Sequence, residues 1–297
     1  MRGYDLVLTY NWGAMDGVLA HRLHHRGMGL PPLVHHEDGF NQDEAGGLKW
    51  QRNLFRRVAL GGAARLVVPS QRLERIALEV WKQPRGRVRL IVNGIDTGAC
   101  LPNPPVNAVP SLAKAPGAKW LGTLAGLRPV KNLPRLVRAF AGLPPEWHLV
   151  ILGEGPERAT IEAEAARLGV ADRVHLPGFV SPPSGVVGLF DLFALSSDSE
   201  QFPISVVEAM AAGVPIAAPA VGDVAAMVSE ANRPFITPAG DEAALAAAIA
   251  RMAADEPLRD RLGEANRALA CDAYDEETMI SAYRQAYAQA MGLARFP

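Results

Sequence analysis

The stretch SDSEQFPISVVEAMAAGVPIAAP, residues 197–219, decides the reading of this chain. It follows the apolar run LFALSS (192–197) and ends in the equally apolar VPIAAP (214–219), with a helical pattern between the two. Strands buried on both faces read as continuous apolar runs, and a helix joining two of them implies a parallel βαβ unit. Pro203 suits the first position of a helix over 203–212, because its missing N–H is one the helix leaves unsatisfied anyway. The backbone N–H groups of Ile204 and Ser205 then lie in the first turn, at the positive end of the helix dipole. They form a site suited to an anion such as a diphosphate. Glu208 falls about a turn deeper, inside the apolar run VVEAMAAGVP. A carboxylate there accepts hydroxyl hydrogen bonds from a ribose, and Glu200 in the loop can do the same for a sugar.

The alternation continues on both sides. Upstream, KWLGTLA (119–125) reads as a strand, the loop RPVKN (128–132) carries two cations, NLPRLVRAFAGL reads as a helix, and HLVILGEG (148–155) as a strand ending in glycines. A helix over 156–169, the strand RVHLPG and a short helix near 184–190 lead into 192–197. Downstream come helices over 223–230, 241–254, 256–270 and 276–291. Before residue 100 the same pattern appears once more. YDLVLT (4–9) is expected to be a buried strand, followed by a helix over 14–26, the strand LVHH (33–36), and an amphipathic helix over 49–60. That helix sets Leu54, Phe55 and Val58 on one side and Arg52, Arg56 and Arg57 elsewhere. ARLVVPS (64–70), with Ser70 as N-cap of the next helix, and RVRLIVNGID (87–96) complete this half. The proline-rich LPNPPVNAVPSLAKAPGA (101–118) reads as a linker. The expected architecture is therefore α/β, with two doubly wound Rossmann-like domains: 1–105, 106–275, and a terminal helix over 276–297 packing back on the first.

Composition narrows the function. The 297 residues are 49% hydrophobic and carry a net charge of -1, so no global field selects nucleic acid, and no basic stripe with interleaved aromatics is present. Residues 1–105 hold 14 Lys and Arg against 9 Asp and Glu, and the remainder holds 16 against 22. Only Cys100 and Cys271 occur, without a CxxC pair or a Cys/His cluster, which gives no basis for a disulfide framework or zinc site. No apolar run reaches the roughly 18–20 residues that span a bilayer. A cytoplasmic location is expected, with peripheral contact at the inner face of the plasma membrane through the basic helix at Lys49–Arg57.

The pattern E-x7-E followed by AMAAGVP resembles the signature of retaining glycosyltransferase family 4, whose members have the GT-B fold. The likeness runs in order along nearly the whole chain, through VVPSQRLERIA (67–77), LIVNGID (90–96), LGTLAGLRPVKNLPRLVRAF (121–140), VILGEGPER and VHLPGFV (174–180). It implies transfer of a sugar from a UDP- or GDP-sugar to a glycan or lipid-linked acceptor in cell-surface polysaccharide or glycolipid synthesis. No bound metal and no further cofactor are implied. On this resemblance Arg128 and Lys131 hold the diphosphate, and Glu208 holds the ribose. Glu200 takes the transferred sugar, while Phe202, Pro203, Ile204 and Ser205 complete the donor site. The family places a His against the donor sugar near the end of LVHHEDGF. His36 is the candidate, with His35 and Asp38 as alternative alignments. Gln201 stands where the family often has Gly, and Ala226 where it often has Glu. The resemblance also sets Tyr4 part-way into the family's first domain, so that domain is expected to be incomplete. Two other functions remain open on the sequence: an inactive nucleotide-binding module, and another enzyme on this fold, such as a nucleotide-sugar epimerase.

Overall fold

A computed structural model describes residues 3–39 and 48–297. Residues 40–47 of the polar loop that begins at Glu37 lie outside the described residues. The chain divides into two units, residues 1–94 with 276–297, and residues 95–275.

In the first unit four parallel strands stand in chain order: β1 (Val7–Tyr10), β2 (Leu33–His36), β3 (Arg65–Val68) and β4 (Val88–Leu90). Their registers pair Val7 with Leu33, Val34 with Arg65, and Leu66 with Val88. Helices α1 (Met15–Met28), α2 (Trp50–Ala59) and α3 (Gln71–Glu79) bury Met15, Val18, Ala59, Leu73 and Ala77 against Leu33, Leu66 and Val68 on one face. Ser70 caps α3 by accepting the Leu73 N–H at 3.1 Å, as its position suggests. The helix Glu276–Met291 covers Val34, Val67 and Ile91 on the other face. Two expectations change here. The buried strand expected over 4–9 is instead the edge strand Val7–Tyr10, whose Leu8 and Tyr10 are exposed, since among the described residues β1 has a neighbour on one side only. The strand expected over 87–96 is confined to Val88–Leu90.

The second unit holds a six-stranded parallel sheet in the order β10-β9-β8-β5-β6-β7. Its strands are β5 (Lys119–Leu124), β6 (Trp147–Leu152), β7 (Val174–Gly178), β8 (Leu192–Ala194), β9 (Ile216–Pro219) and β10 (Ile236–Thr237). The connecting helices are α4 (Leu133–Ala141), α5 (Arg158–Arg167), α6 (Ile204–Ala211), α7 (Val224–Met227), α8 (Glu242–Ala253) and α9 (Glu256–Ala273); the terminal helix Glu276–Met291 is α10. Leu121, Leu149, Ile151 and Leu192 meet Leu136, Phe140, Ile161, Ile249 and Met252 in its main core. This is the α/β, doubly wound architecture expected. Asp241 and Asp255 cap α8 and α9 by accepting the N–H groups of Ala244 and Leu258. The segment 101–118, read as a linker, is packed into this unit. Val109 is buried, and Lys114 donates to Asp191 Oδ2 at 2.7 Å and to the Leu189 carbonyl. Around residue 187 two 3-10 turns, Pro183–Gly185 and Val187–Leu189, replace the expected short helix.

Candidate functional site

The strand order of the second unit locates a site before any side chain is considered. From β5 the chain builds β6 and β7 to one side, then crosses to build β8, β9 and β10 on the other. The crevice outside the carboxyl ends of β5 and β8 is the topological switch point, where doubly wound sheets bind ligands. The loops leaving those two strands carry most of the predicted site residues.

These loops are tied to each other. Lys131, at the end of the 3-10 turn Pro129–Lys131, sets its Nζ 2.5 Å from Glu200 Oε1. Ser197 Oγ donates to the same carboxylate oxygen at 2.7 Å. Ser196 Oγ donates to the Lys131 carbonyl at 2.9 Å, and the Asp198 N–H donates to the Val130 carbonyl at 2.9 Å. Arg135 of α4 pairs with Asp198 at 2.8 Å. Asn132, held in the left-handed region at φ 44°, donates to the same Asp198 carboxylate at 3.2 Å. Arg128 stands apart: it is exposed and makes no ion pair among the described residues, so its guanidinium is open to an anion. Ser197, Asn132 and Arg135 were not singled out in the sequence. A hydroxyl and a short amide beside a charged loop are too common to be read without the fold.

Helix α6 begins at Ile204, one residue later than expected, so Pro203 is its N-cap, and no side chain caps it. A residue with extended ψ, here 108°, cannot yet be helical. The change leaves the argument intact, because the N–H groups of Ile204 and Ser205 still open the helix with no acceptor inside it. Phe202 is buried and meets Tyr274 edge-on, with centroids 5.7 Å apart, which fixes the loop leading into the helix. Glu208 is half-buried and has no hydrogen-bond or ion-pair partner among the described residues. Desolvation by its apolar neighbours holds its pKa above the usual carboxylate range. An unpartnered, partly desolvated carboxylate accepts hydrogen bonds from hydroxyl donors strongly.

Two glycines let the backbones crowd around these loops. A side chain on Gly155 would meet the Leu127 carbonyl at 2.5 Å, and φ there is +156°. Gly222, at φ +58°, lies where a Cβ would come within 2.6 Å of the Glu200 carbonyl oxygen. The GEG turn is therefore a close crossing of the loops after β5 and β6, and Gly222 seats the loop after β9 against Glu200. Among the described residues no cluster of three or more His, Cys, Asp or Glu side chains is placed to hold a metal ion.

The first unit treats its predicted residues differently. His36 is only 2% exposed, stacked on Tyr10 at 4.5 Å and enclosed by Tyr283 and Tyr287 of α10. Burial, with a contribution from His35, lowers its pKa to about 4, so it is neutral at physiological pH. His35 is fully buried with its Nδ1 2.9 Å from Thr9 Oγ1. Of the three alternatives only Asp38 is exposed. It accepts from Asn11 Nδ2 at 3.2 Å, and its N–H donates to Asn11 Oδ1 at 2.7 Å. The expectation that a histidine here presents itself to a ligand does not fit this packing. The sequence could not show that α10 places two tyrosines over it. Glu37 carries a further surprise. Its carboxylate is fully buried 3.3 Å from Arg56 Nε, and the Arg56 guanidinium lies between Trp12 and Trp81 at 4.9 and 5.1 Å.

Residues 108–269, the stretch that holds both loops of the switch point, match glycosyl transferases group 1. The chain belongs to that family. Among its relatives is N-acetyl-alpha-D-glucosaminyl L-malate synthase of Bacillus anthracis, 29% identical over 57% of this chain and 45% of that protein. Another is the lipopolysaccharide core biosynthesis glycosyltransferase LpsD of Rhizobium meliloti, 32% identical over 52% of this chain and 44% of that protein. The chain thus spans about half the length of the curated relatives it matches. Among solved structures, HepE of Anabaena in complex with UDP superimposes with a TM-score of 0.80 at 22% identity, over 98% of this chain and 79% of that one. The family member described here accordingly has the GT-B fold, with one sheet of four and one of six parallel strands. His36 lies outside the matched stretch.

Proposed function

We propose that this chain is a retaining glycosyltransferase that moves a sugar from a nucleotide-diphosphate sugar, UDP- or GDP-linked, to an acceptor hydroxyl in cell-surface polysaccharide or glycolipid synthesis. The observation that carries the reading is the joined pair of loops at the switch point of the second unit. There Lys131 is paired with Glu200 on the joined loops, Arg128 is exposed on the loop after β5, and the start of α6 carries no side-chain cap. Arg128, Lys131 and the N–H groups of Ile204 and Ser205 bind the diphosphate, with Phe202 and Pro203 shaping the turn. Glu208 accepts the ribose hydroxyls, and Glu200, aligned by Lys131 and Ser197, accepts those of the transferred sugar. As the anomeric carbon–oxygen bond breaks, charge grows on the departing phosphate. Preorganised cations and amide dipoles are worth most there, about 10²–10³ in rate per donor. The acceptor oxygen attacks from the face the phosphate leaves, and its proton passes to a phosphate oxygen. The relatives' roles in lipopolysaccharide synthesis and the UDP held by HepE support this choice of donor and pathway class.

The test uses UDP-glucose and GDP-mannose with water as a slow acceptor, following the first-formed sugar by NMR. Release of the α-anomer from either donor is the expected result. An inverted or epimerised product, or turnover of neither donor, would contradict the proposal.

A further inference from the structure

The two sequence neighbours of Lys131 are both tied to one residue on the loop after β8. The Val130 carbonyl accepts the Asp198 N–H at 2.9 Å. The Asn132 side-chain amide donates to both Asp198 carboxylate oxygens, at 3.2 and 3.3 Å. Asn132 stands in the left-handed region at φ 44°, where it turns the chain from Pro129–Lys131 into α4. Asparagine visits that region as a single residue when its short side chain is hydrogen-bonded, and Asp198 supplies the bond. A third tie comes from Arg135 in the first turn of α4. Its guanidinium lies 2.8 Å from Asp198 Oδ1 and donates to the Ser196 carbonyl at 3.1 Å. Asp198 thus joins three points that bracket Lys131, while its own side chain is half exposed.

We propose, resting on the reading of this crevice as a donor site, that Asp198 is a positioning residue for Lys131. It fixes the turn that carries the ammonium and does not itself touch the ligand. Lysine holds its charge on a flexible four-carbon stem, so a backbone settled on both sides is what confines Nζ to one place, here against Glu200 Oε1. A cation already in place binds a diphosphate without the cost of ordering it at that moment. Arg135 has a part in this as well. A carboxylate beside an anion site opposes the ligand, and the guanidinium at 2.8 Å offsets that charge. The simplest rival role gives the opposite sign. If Asp198 were only a negative charge in the field of the site, its removal would tighten the hold on an anion, whereas removal of a positioning residue loosens it. All of these contacts lie within the second unit.

The experiment is calorimetric titration of the full chain with UDP and with GDP, for the wild type, Asp198→Ala, Asp198→Asn, Lys131→Ala and the double variant Asp198→Ala with Lys131→Ala. Asp198→Ala keeps the backbone bond to Val130 and should lower affinity for the nucleotide bound by about three- to tenfold. Asp198→Asn removes the same charge but keeps an oxygen that accepts from Asn132, so most of the affinity should return. In the double variant the loss should be that of Lys131→Ala alone, because a residue acting through Lys131 then has nothing to position. A solvent-exposed ion pair contributes little to stability, so the unfolding midpoint of Asp198→Ala should stay close to that of the wild type. Affinity in Asp198→Ala equal to or above the wild type, beside a loss in Lys131→Ala, would overturn this role and leave the donor site standing. So would a further loss in the double variant as large as in Asp198→Ala alone, the mark of a general loosening. Binding of neither nucleotide by the wild type would overturn the donor reading itself, and the role of Asp198 with it.

Discussion

The ends of β2 and of β8 both carry a carboxylate facing a cation, and they differ in what surrounds the pair. After β8, Glu200 and Lys131 meet at the mouth of a switch point, partly open to solvent and held by serine hydroxyls. After β2, Glu37 and Arg56 are fully enclosed between two tryptophans, next to His35. The same chemistry is thus placed once where a ligand can exchange with it and once where nothing can. The difference teaches that access at a strand end is what leaves an ion pair able to take a binding role, the one proposed for Glu200 and Lys131, and that the sealed copy ties one helix to one strand end.

Breaking the sealed pair should have the largest effect. Arg56→Ala strands a buried carboxylate and is expected to cost about 3–5 kcal/mol of stability, read from denaturant unfolding. Nucleotide affinity at a temperature where the variant stays folded should remain that of the wild type. Loss of affinity with little loss of stability would erase the distinction between the two pairs.

The histidine under α10 gives the next effect and a sign. Its folded pKa of about 4 lies below the ordinary 6.5, so the unfolded chain binds the proton first as pH falls. The stability that the neutral His36 contributes is whole above pH 6.5 and is lost progressively as pH falls from there to about 4. The loss should total about 3 kcal/mol. His36→Gln should flatten unfolding free energy across that window. An unaltered pH profile would mean that His36 is not enclosed in solution.

The smallest effect belongs to the open pair. Ser197→Ala removes one hydrogen bond to Glu200 and should weaken donor-sugar binding by about 1 kcal/mol, roughly fivefold. Calorimetry with UDP-glucose and with UDP separates the cases, because UDP alone should bind the variant normally. Equal weakening of both ligands would place Glu200 on the diphosphate instead.

Much of the second unit could be read from residues alone because its signals are local. Apolar runs, and Pro203 at the start of a helix, each act within a few residues. The pairing of Lys131 with Glu200 needed the strand order, which no local pattern states, although both residues were singled out by their loops. In the first unit the local pattern misled. Amphipathicity set Leu54, Phe55 and Val58 on one side, but with Arg56 drawn inward to the buried Glu37 only Phe55 of the three packs against the core, while Leu54 and Val58 are exposed. His36 was placed correctly at a strand end, but α10, some 250 residues away, decides its exposure. Long-range packing of that kind leaves no periodic trace.

The measurement that bears most directly on the central claim is calorimetric titration of the chain with UDP, GDP and ADP, for the wild type, Lys131→Ala and Glu208→Ala. The account predicts selective binding of one diphosphate. Lys131→Ala should weaken it by about 1.5–3 kcal/mol, the worth of a hydrogen bond to a charged group, and Glu208→Ala by a similar amount through the ribose. Binding that survives both substitutions unchanged, or no binding of any of the three nucleotides by the wild type, would contradict the assignment of the switch-point crevice as the donor site.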